Sequence, residues 1–84
     1  MFRETIFFND LANVKDFVAM TSKYDKLKIN LISDIYTIDA HSLIGIVSLD
    51  ISQPIVLEVP EDIETPAEFL EDIKPFIYHE ASAG

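Results

Sequence analysis

The sequence predicts an α+β fold, a two-layer open-faced sandwich in which an antiparallel four-stranded sheet carries all the helices on one face. One observation behind this prediction is the spacing of apolar residues, which switches between a period of two and steps of three and four and gives the order βαββαβα. Another is that 49% of the 84 residues are hydrophobic, enough for one core but not for two. We therefore expect one domain over residues 1–78 and a frayed polar tail over 79–84.

A strand and then a helix are predicted at the start of the chain. Residues 2–8 are rich in β-prone side chains, and Asn9-Asp10 then offers a helix N-cap. Over residues 11–23, apolar side chains recur at steps of three and four. The members of this stripe are Leu11, Val14, Phe17, Val18 and Tyr24. One face of the helix should therefore pack on the core, and the other should be solvated.

A hairpin, a short helix and a last strand are predicted in the middle of the chain. Residues 27–31 alternate apolar and polar side chains, Ser33-Asp34 is a turn signal, and residues 36–38 alternate again. The apolar segment 42–49 suits two helical turns better than a strand, although its glycine lowers helix propensity. The period of two then returns over residues 55–59.

The last helix has the strongest local start signal. Thr65 is predicted as N-cap, Pro66 as the first helical residue and Glu68 as the glutamate of a capping box. Pro75 predicts a bend or an early end of the helix. The apolar face of this helix consists of Phe69, Leu70, Ile73, Phe76 and Ile77.

Composition argues against several classes of function. Fifteen acidic and six basic residues give a formal net charge of −9, which repels phosphate backbones and anionic lipid surfaces. We therefore expect neither nucleic acid nor a membrane as partner. There is no cysteine, which excludes thiolate chemistry and disulfides. Without a signal-peptide pattern or an apolar run long enough to span a bilayer, the expected location is cytoplasmic.

The sequence contains no recognisable catalytic or cofactor-binding motif. It has no glycine-rich phosphate loop, no Ser/His/Asp arrangement and no histidine pair with metal-ligand spacing. Acidic residues such as Glu58 and Asp72 are expected to be solvated, and carboxylate pairs catalyse only where burial separates their pKa values. His41 and His79 are interpreted as surface histidines without a role. We therefore predict that the chain is not an enzyme and has no cofactor or metal.

The predicted element order and one long stretch resemble the histidine-containing phosphocarrier protein (HPr) family of the bacterial sugar phosphotransferase system. The stretch INLISDIYTIDAHSLIGIVSL runs without a gap alongside the family pattern of strand, turn, strand and a segment N-A-K-S-I-M-G-V-M-S-L. The resemblance covers about residues 2–77 and implies the HPr fold. The residues that fall on the family segment are Asp39, Ala40, Ser42, Gly45, Ser48 and Leu49.

The family's phosphoryl-carrying histidine has no counterpart in this chain. In the family it lies in a loop G-L-H-A-R-P at the start of the first helix, takes a phosphoryl group from Enzyme I and passes it to sugar-specific components. Here its position falls at or near Asp10, that of the arginine at Ala12 and that of the proline at Asn13. The resemblance thus implies a member without the active-site histidine. The alternative is a phosphocarrier that uses a non-standard acceptor, for which Asp10 is conceivable.

Ser42 allows two interpretations. It can be an ordinary N-cap, because a serine hydroxyl accepts a hydrogen bond from a free N–H of the first helical turn. In the HPr family the matching serine is also phosphorylated by a dedicated kinase, and a phosphate is tolerated at a helix N-terminus. Ser42 is therefore both a cap and a candidate phosphorylation site.

The short helix that follows Ser42 is the candidate protein-binding surface. By resemblance, Leu43, Ile44 and Val47 match an apolar patch that the family shows to partners, whereas Ile46 and Leu49 match positions that face the sheet. One relative of HPr also lacks the histidine, keeps the serine and serves as a regulatory partner. We therefore predict a non-catalytic adaptor whose partners are proteins, of the HPr-kinase or transcription-regulator kind. A homodimer through this helix is a further alternative, and we expect a monomer.

Overall fold

The computed structural model describes residues 2–60 and 64–78 and confirms the predicted α+β fold class. The tail expected over residues 79–84, including His79, lies outside the described residues. The elements in chain order are β1 (Phe2–Ile6), α1 (Leu11–Thr21) continued by a 3-10 turn (Ser22–Tyr24), β2 (Asn30–Ser33), β3 (Tyr36–Asp39), α2 (Leu43–Val47), β4 (Ile55–Val59), and α3 (Ala67–Asp72) followed by a 3-10 turn (Lys74–Phe76).

The four strands form one antiparallel sheet in the order β1-β4-β2-β3. Leu31 of β2 lies opposite Ile38 on one side and Leu57 on the other, so an apolar row crosses the central strands. Along β4, the first, third and fifth residues are buried and the two between them are half-buried. The period of two predicted for residues 55–59 is thereby confirmed.

The hairpin between β2 and β3 turns within two residues. Ser33 pairs with Tyr36, which leaves Asp34 and Ile35 as the loop. Asp34 adopts a φ of 58°, in the left-handed region that aspartate tolerates better than most residues because its short side chain can hydrogen-bond locally. The turn predicted at Ser33-Asp34 is confirmed, one residue further along.

The core lies between the sheet and the helices. Each helix contributes a fully buried side chain, Phe17 from α1, Ile46 from α2 and Phe69 from α3, all 0% exposed. The Phe17 ring lies 5.2 Å from the rings of both Phe8 and Phe76, and both pairs are edge-to-face, an arrangement that aromatic rings favour. This three-ring cluster joins the segment after β1, helix α1 and the C-terminal 3-10 turn.

The predicted stripe on α1 is correct in its middle and wrong at its first residue. Val14 and Phe17 are buried, whereas Leu11 is 50% exposed. Leu11 is the first residue of the helix and precedes Val14, the first buried residue of the helix. Helical periodicity gives the direction of a side chain but not how far along the helix the core extends.

The capping box predicted for α3 is wrong. The N-cap is Pro66, not Thr65, with no side-chain hydrogen bond to the helix, and α3 begins at Ala67. Pro66 has φ −61° and ψ 140°. A proline ring fixes φ at a value that suits both a helix and extended backbone. Pro66 can therefore be either the first helical residue or the extended residue before the helix.

The predicted apolar face of the last helix extends too far. Ile77 lies after the 3-10 turn in extended backbone and forms a bridge with Ile6 of β1. Tyr78 also donates its backbone N–H to the carbonyl of Thr5 at 2.9 Å, and Phe7 donates to the carbonyl of Phe76 at 2.9 Å. The chain after α3 thus pairs with the outer edge of β1, as the early end predicted at Pro75 allows.

Candidate functional site

Ser42 is the N-cap of α2. Its backbone is extended, with φ −98° and ψ 104°, and its hydroxyl oxygen accepts a hydrogen bond from the N–H of Gly45 at 3.0 Å. Its own N–H donates to the carbonyl of Asp39 at 3.0 Å, which fixes the turn that leads from β3 into the helix. The hydroxyl is therefore positioned by the cap and by the end of the preceding strand.

Three apolar side chains of α2 face away from the core, and we call them the α2 surface. Ile44 is 78% exposed, Val47 is 42% exposed and Leu43 is 36% exposed. Ile46 is 0% exposed, and Leu49, just after the helix, packs partly buried against the core. One short helix thus contributes to both the core and the apolar exterior.

Gly45 lets α2 lie close to the sheet. A Cβ atom at this position would lie 2.6 Å from Cγ2 of Ile38, closer than two carbon atoms can approach. That methyl group is attached directly to Cβ of a β-branched residue, which has little freedom to move. Glycine lowers the helix propensity of this segment. It is nevertheless required here, because a larger residue would collide with Ile38 of β3.

Asp10, the position that matches the family's histidine, is an exposed N-cap of α1. Its carboxylate accepts a hydrogen bond from the N–H of Asn13 at 2.9 Å, and the Asn13 side chain accepts one from the N–H of Asn9 at 3.1 Å. Asp10 thus caps the first turn, and the Asn13 side chain ties that turn to the residue before the cap. The carboxylate lies at the positive end of the helix dipole, where an anion is favoured.

Two acidic residues that were expected to be solvated are tied to partners. The Glu58 side chain is 16% exposed and forms an ion pair with Arg3 at 2.7 Å. Asp72 accepts hydrogen bonds from the Lys23 ammonium group at 2.8 Å and from the Tyr24 hydroxyl at 2.6 Å. The expectation fails because the partners are distant in sequence and meet only in the folded chain. Asp72 and its two donors join the end of α3 to the 3-10 turn after α1.

The Asp72 cluster has a consequence for the pH dependence of stability. The hydrogen bonds from Lys23 and then from Tyr24 hold the pKa of the Asp72 carboxyl below its ordinary value. Burial and then Asp72 raise the pKa of Tyr24. Because the folded chain binds the Asp72 proton less readily than the unfolded chain, the stabilisation is present above the ordinary aspartate pKa and is lost as pH falls through the lowered value.

Asp72→Asn is therefore expected to lower stability at neutral pH and to flatten the loss of stability in acid. Urea unfolding of the parent and the variant over a series of pH values from neutral to acidic measures this difference. Asp16→Asn, at an exposed position of α1, removes the same charge and is the control. Parallel curves for the parent and Asp72→Asn would show that the cluster contributes no pH-dependent stability.

His41, interpreted from sequence as a surface histidine without a role, is half-buried and has a structural one. Its Nε2 lies 3.0 Å from the carbonyl oxygen of Leu27, and since a carbonyl only accepts, the hydrogen belongs on Nε2. The histidine thereby ties the start of α2 to the segment before β2. Sequence reasoning missed this link, because its two residues are fourteen positions apart and form no local pattern.

The part of the chain that the structure describes contains neither a metal-binding cluster nor a membrane-spanning helix. Within residues 2–60 and 64–78, no group of three or more His, Cys, Asp or Glu side chains could hold a metal ion. Over the same ranges, no helix has the length and apolar character needed to cross a membrane.

The fold and the α2 surface define a class of protein: an α+β open-faced sandwich with a serine-capped short helix that exposes three apolar side chains. Comparison with known proteins adds no family to this description, because no family model, no curated protein and no solved structure matches the chain.

Proposed function

We propose that this chain is an HPr-like, non-catalytic adaptor that binds protein partners through the α2 surface, with phosphorylation of Ser42 as a gate. The observation that carries the proposal is that Leu43, Ile44 and Val47 are exposed on a helix whose N-cap is a serine hydroxyl. Single exposed apolar residues are common, but adjacent ones gain free energy when a partner removes them from water.

The first helix favours an adaptor over a phosphocarrier. The element order and the sheet order are consistent with the HPr fold that the resemblance implies. At the position of the carrier histidine, the Asp10 carboxylate is already engaged in capping α1. An adaptor of this kind would act as a monomer in the bacterial cytoplasm, in the regulation of carbohydrate transport.

The proposed gate follows from the position of Ser42. A phosphate on its hydroxyl would bring about −1.5 to −2 charges and three acceptor oxygens to the N-terminus of α2. There the N–H of Gly45, which now donates to the hydroxyl, could donate to a phosphate oxygen instead. The added charge would lie beside Leu43, so a partner that binds the apolar side chains would sense it directly.

A binding comparison of three immobilised proteins tests the α2 surface: the parent, Ile44→Glu and Ile35→Glu. Ile35 is 84% exposed in the β2–β3 turn, so it matches Ile44 in residue type and exposure but lies outside the α2 surface. We expect a partner to be retained by the parent and by Ile35→Glu and lost by Ile44→Glu. Equal retention by all three would remove the α2 surface from the proposal.

Two phosphorylation assays separate the adaptor from the carrier. With phosphoenolpyruvate and Enzyme I, we expect no acid-labile gain in intact mass, and such a gain would favour the carrier. With ATP and a serine kinase of the HPr type, we expect the mass of one phosphate to be added to the parent and not to Ser42→Ala. If the kinase does not modify the parent, phosphorylation of Ser42 is not the gate. The adaptor proposal is then tested by the binding comparison alone.

A further inference from the structure

A polar depression of about 340 Å³ lies between the segment that leads into β2 and the end of β3. This volume falls in the lower part of the range of small-molecule sites, about 300–1,000 Å³. Its polar lining comes from Asp25, Lys26, Lys28, Asn30, Asp39 and His41. None of these side chains belongs to the α2 surface, so the depression is a separate feature of the molecule.

The lining of the depression carries two positive and two negative side chains, Lys26 and Lys28 together with Asp25 and Asp39. Three of the six basic residues lie between positions 23 and 28. Lys23 is engaged by Asp72, whereas Lys26 and Lys28 are exposed and form no ion pair with any of the described residues. Burial alternates here, with Leu27 inside and Lys28 outside. Both ammonium groups are therefore available to an anion at the depression.

Hydrogen bonds hold two further lining side chains, those of His41 and Asp39. His41 is held through Nε2 by the Leu27 carbonyl at 3.0 Å, and its Nδ1 makes no hydrogen bond to any of the described residues. Asp39 uses one carboxylate oxygen, Oδ1, to accept the backbone N–H of His41 at 2.8 Å. Asn30 lies directly opposite Asp39 in the sheet. The lining therefore combines a positioned imidazole and a positioned carboxylate with the amide of Asn30.

We propose that this depression binds a small organic phosphate that carries hydroxyl groups. Two lysines suit the charge of a phosphate monoester, because hydrogen bonds between ionised groups are about twice as strong as neutral ones. The carboxylates of Asp25 and Asp39 oppose a bare anion but accept hydrogen bonds from hydroxyl groups, and the Asn30 amide can do either. The mixed lining thus selects a ligand that presents both an anion and neutral donors. This inference does not depend on the adaptor function.

A titration of the ¹⁵N-labelled chain followed by NMR tests the site, with glycerol 3-phosphate as the probe and inorganic phosphate and glycerol as comparisons. We expect saturable shift changes at Lys26, Lys28, Asn30 and His41 with glycerol 3-phosphate, weaker binding of inorganic phosphate, and none of glycerol. Lys28→Gln should weaken glycerol 3-phosphate binding by about tenfold, the effect of losing one charged hydrogen bond.

Lys15→Gln is the matched control, because Lys15 is an exposed lysine of α1 away from the depression. It removes the same charge and should change the affinity by less than about twofold, as expected for a distant, screened charge. Equal weakening by Lys15→Gln and Lys28→Gln, or no saturable shift with the parent, would overturn the proposal. Equal affinity for inorganic phosphate would overturn the recognition of hydroxyl groups. If Lys28→Gln alters the core amide signals, Lys26→Gln takes its place.

Discussion

Ile46→Glu is expected to unfold this protein, whereas Ile44→Glu, two residues earlier on the same helix, is expected to leave it folded. Ile46 is 0% exposed and Ile44 is 78% exposed. Burying an unpaired carboxylate costs several kcal/mol, and a domain of this length has a total stability of only about 4–13 kcal/mol. A charge on an exposed position typically changes stability by less than about 0.5 kcal/mol. Thermal unfolding followed by circular dichroism measures both variants against the parent.

Leu49→Glu gives this comparison an intermediate point. Leu49 is partly buried against the core, so its variant should be clearly destabilised, though less than Ile46→Glu. If Ile44→Glu lost as much stability as Leu49→Glu, the side chain of Ile44 would belong to the core. The adaptor would then lose the α2 surface on which it depends, and capping alone would account for Ser42.

Phe17→Ala is expected to cost about 3–5 kcal/mol, as large-to-small aromatic changes in cores do. Phe17 is 0% exposed and its ring meets two other rings, those of Phe8 and Phe76, at 5.2 Å each. Its removal leaves a cavity where α1, the segment after β1 and the C-terminal 3-10 turn converge. For a domain of this size the melting temperature should fall by about 12–40 °C, so urea unfolding at low temperature is the more reliable measurement.

Phe7→Ala is the matched control for this prediction. Phe7 is half-buried, and among the described residues its one aromatic partner is Tyr78, with the ring centroids 5.9 Å apart. The same chemical change there removes less buried surface and should cost clearly less. An equal loss in the two variants would contradict the role of the three-ring cluster as the centre of the core.

The α2 surface could be anticipated from the sequence, but the depression could not. Exposure within α2 follows the resemblance to the HPr family, which separates Ile44 from Ile46 without any knowledge of the rest of the chain. The depression brings His41 together with Lys26 and Lys28, and its geometry depends on a hydrogen bond between His41 and Leu27. That contact spans fourteen residues and leaves no periodic signal.

The sequence by itself determined the features that depend on neighbours a few residues apart. These are the fold class, the alternating burial over Ile55–Val59, and the caps at Asp10 and Ser42, since periodicity and capping are properties of one or two turns of chain. Only the tertiary structure decided that α3 starts after Pro66 and that Ile77 leaves the helix to pair with Ile6. Partners elsewhere in the fold select between local conformations that are close in free energy, and no short stretch of sequence contains those partners.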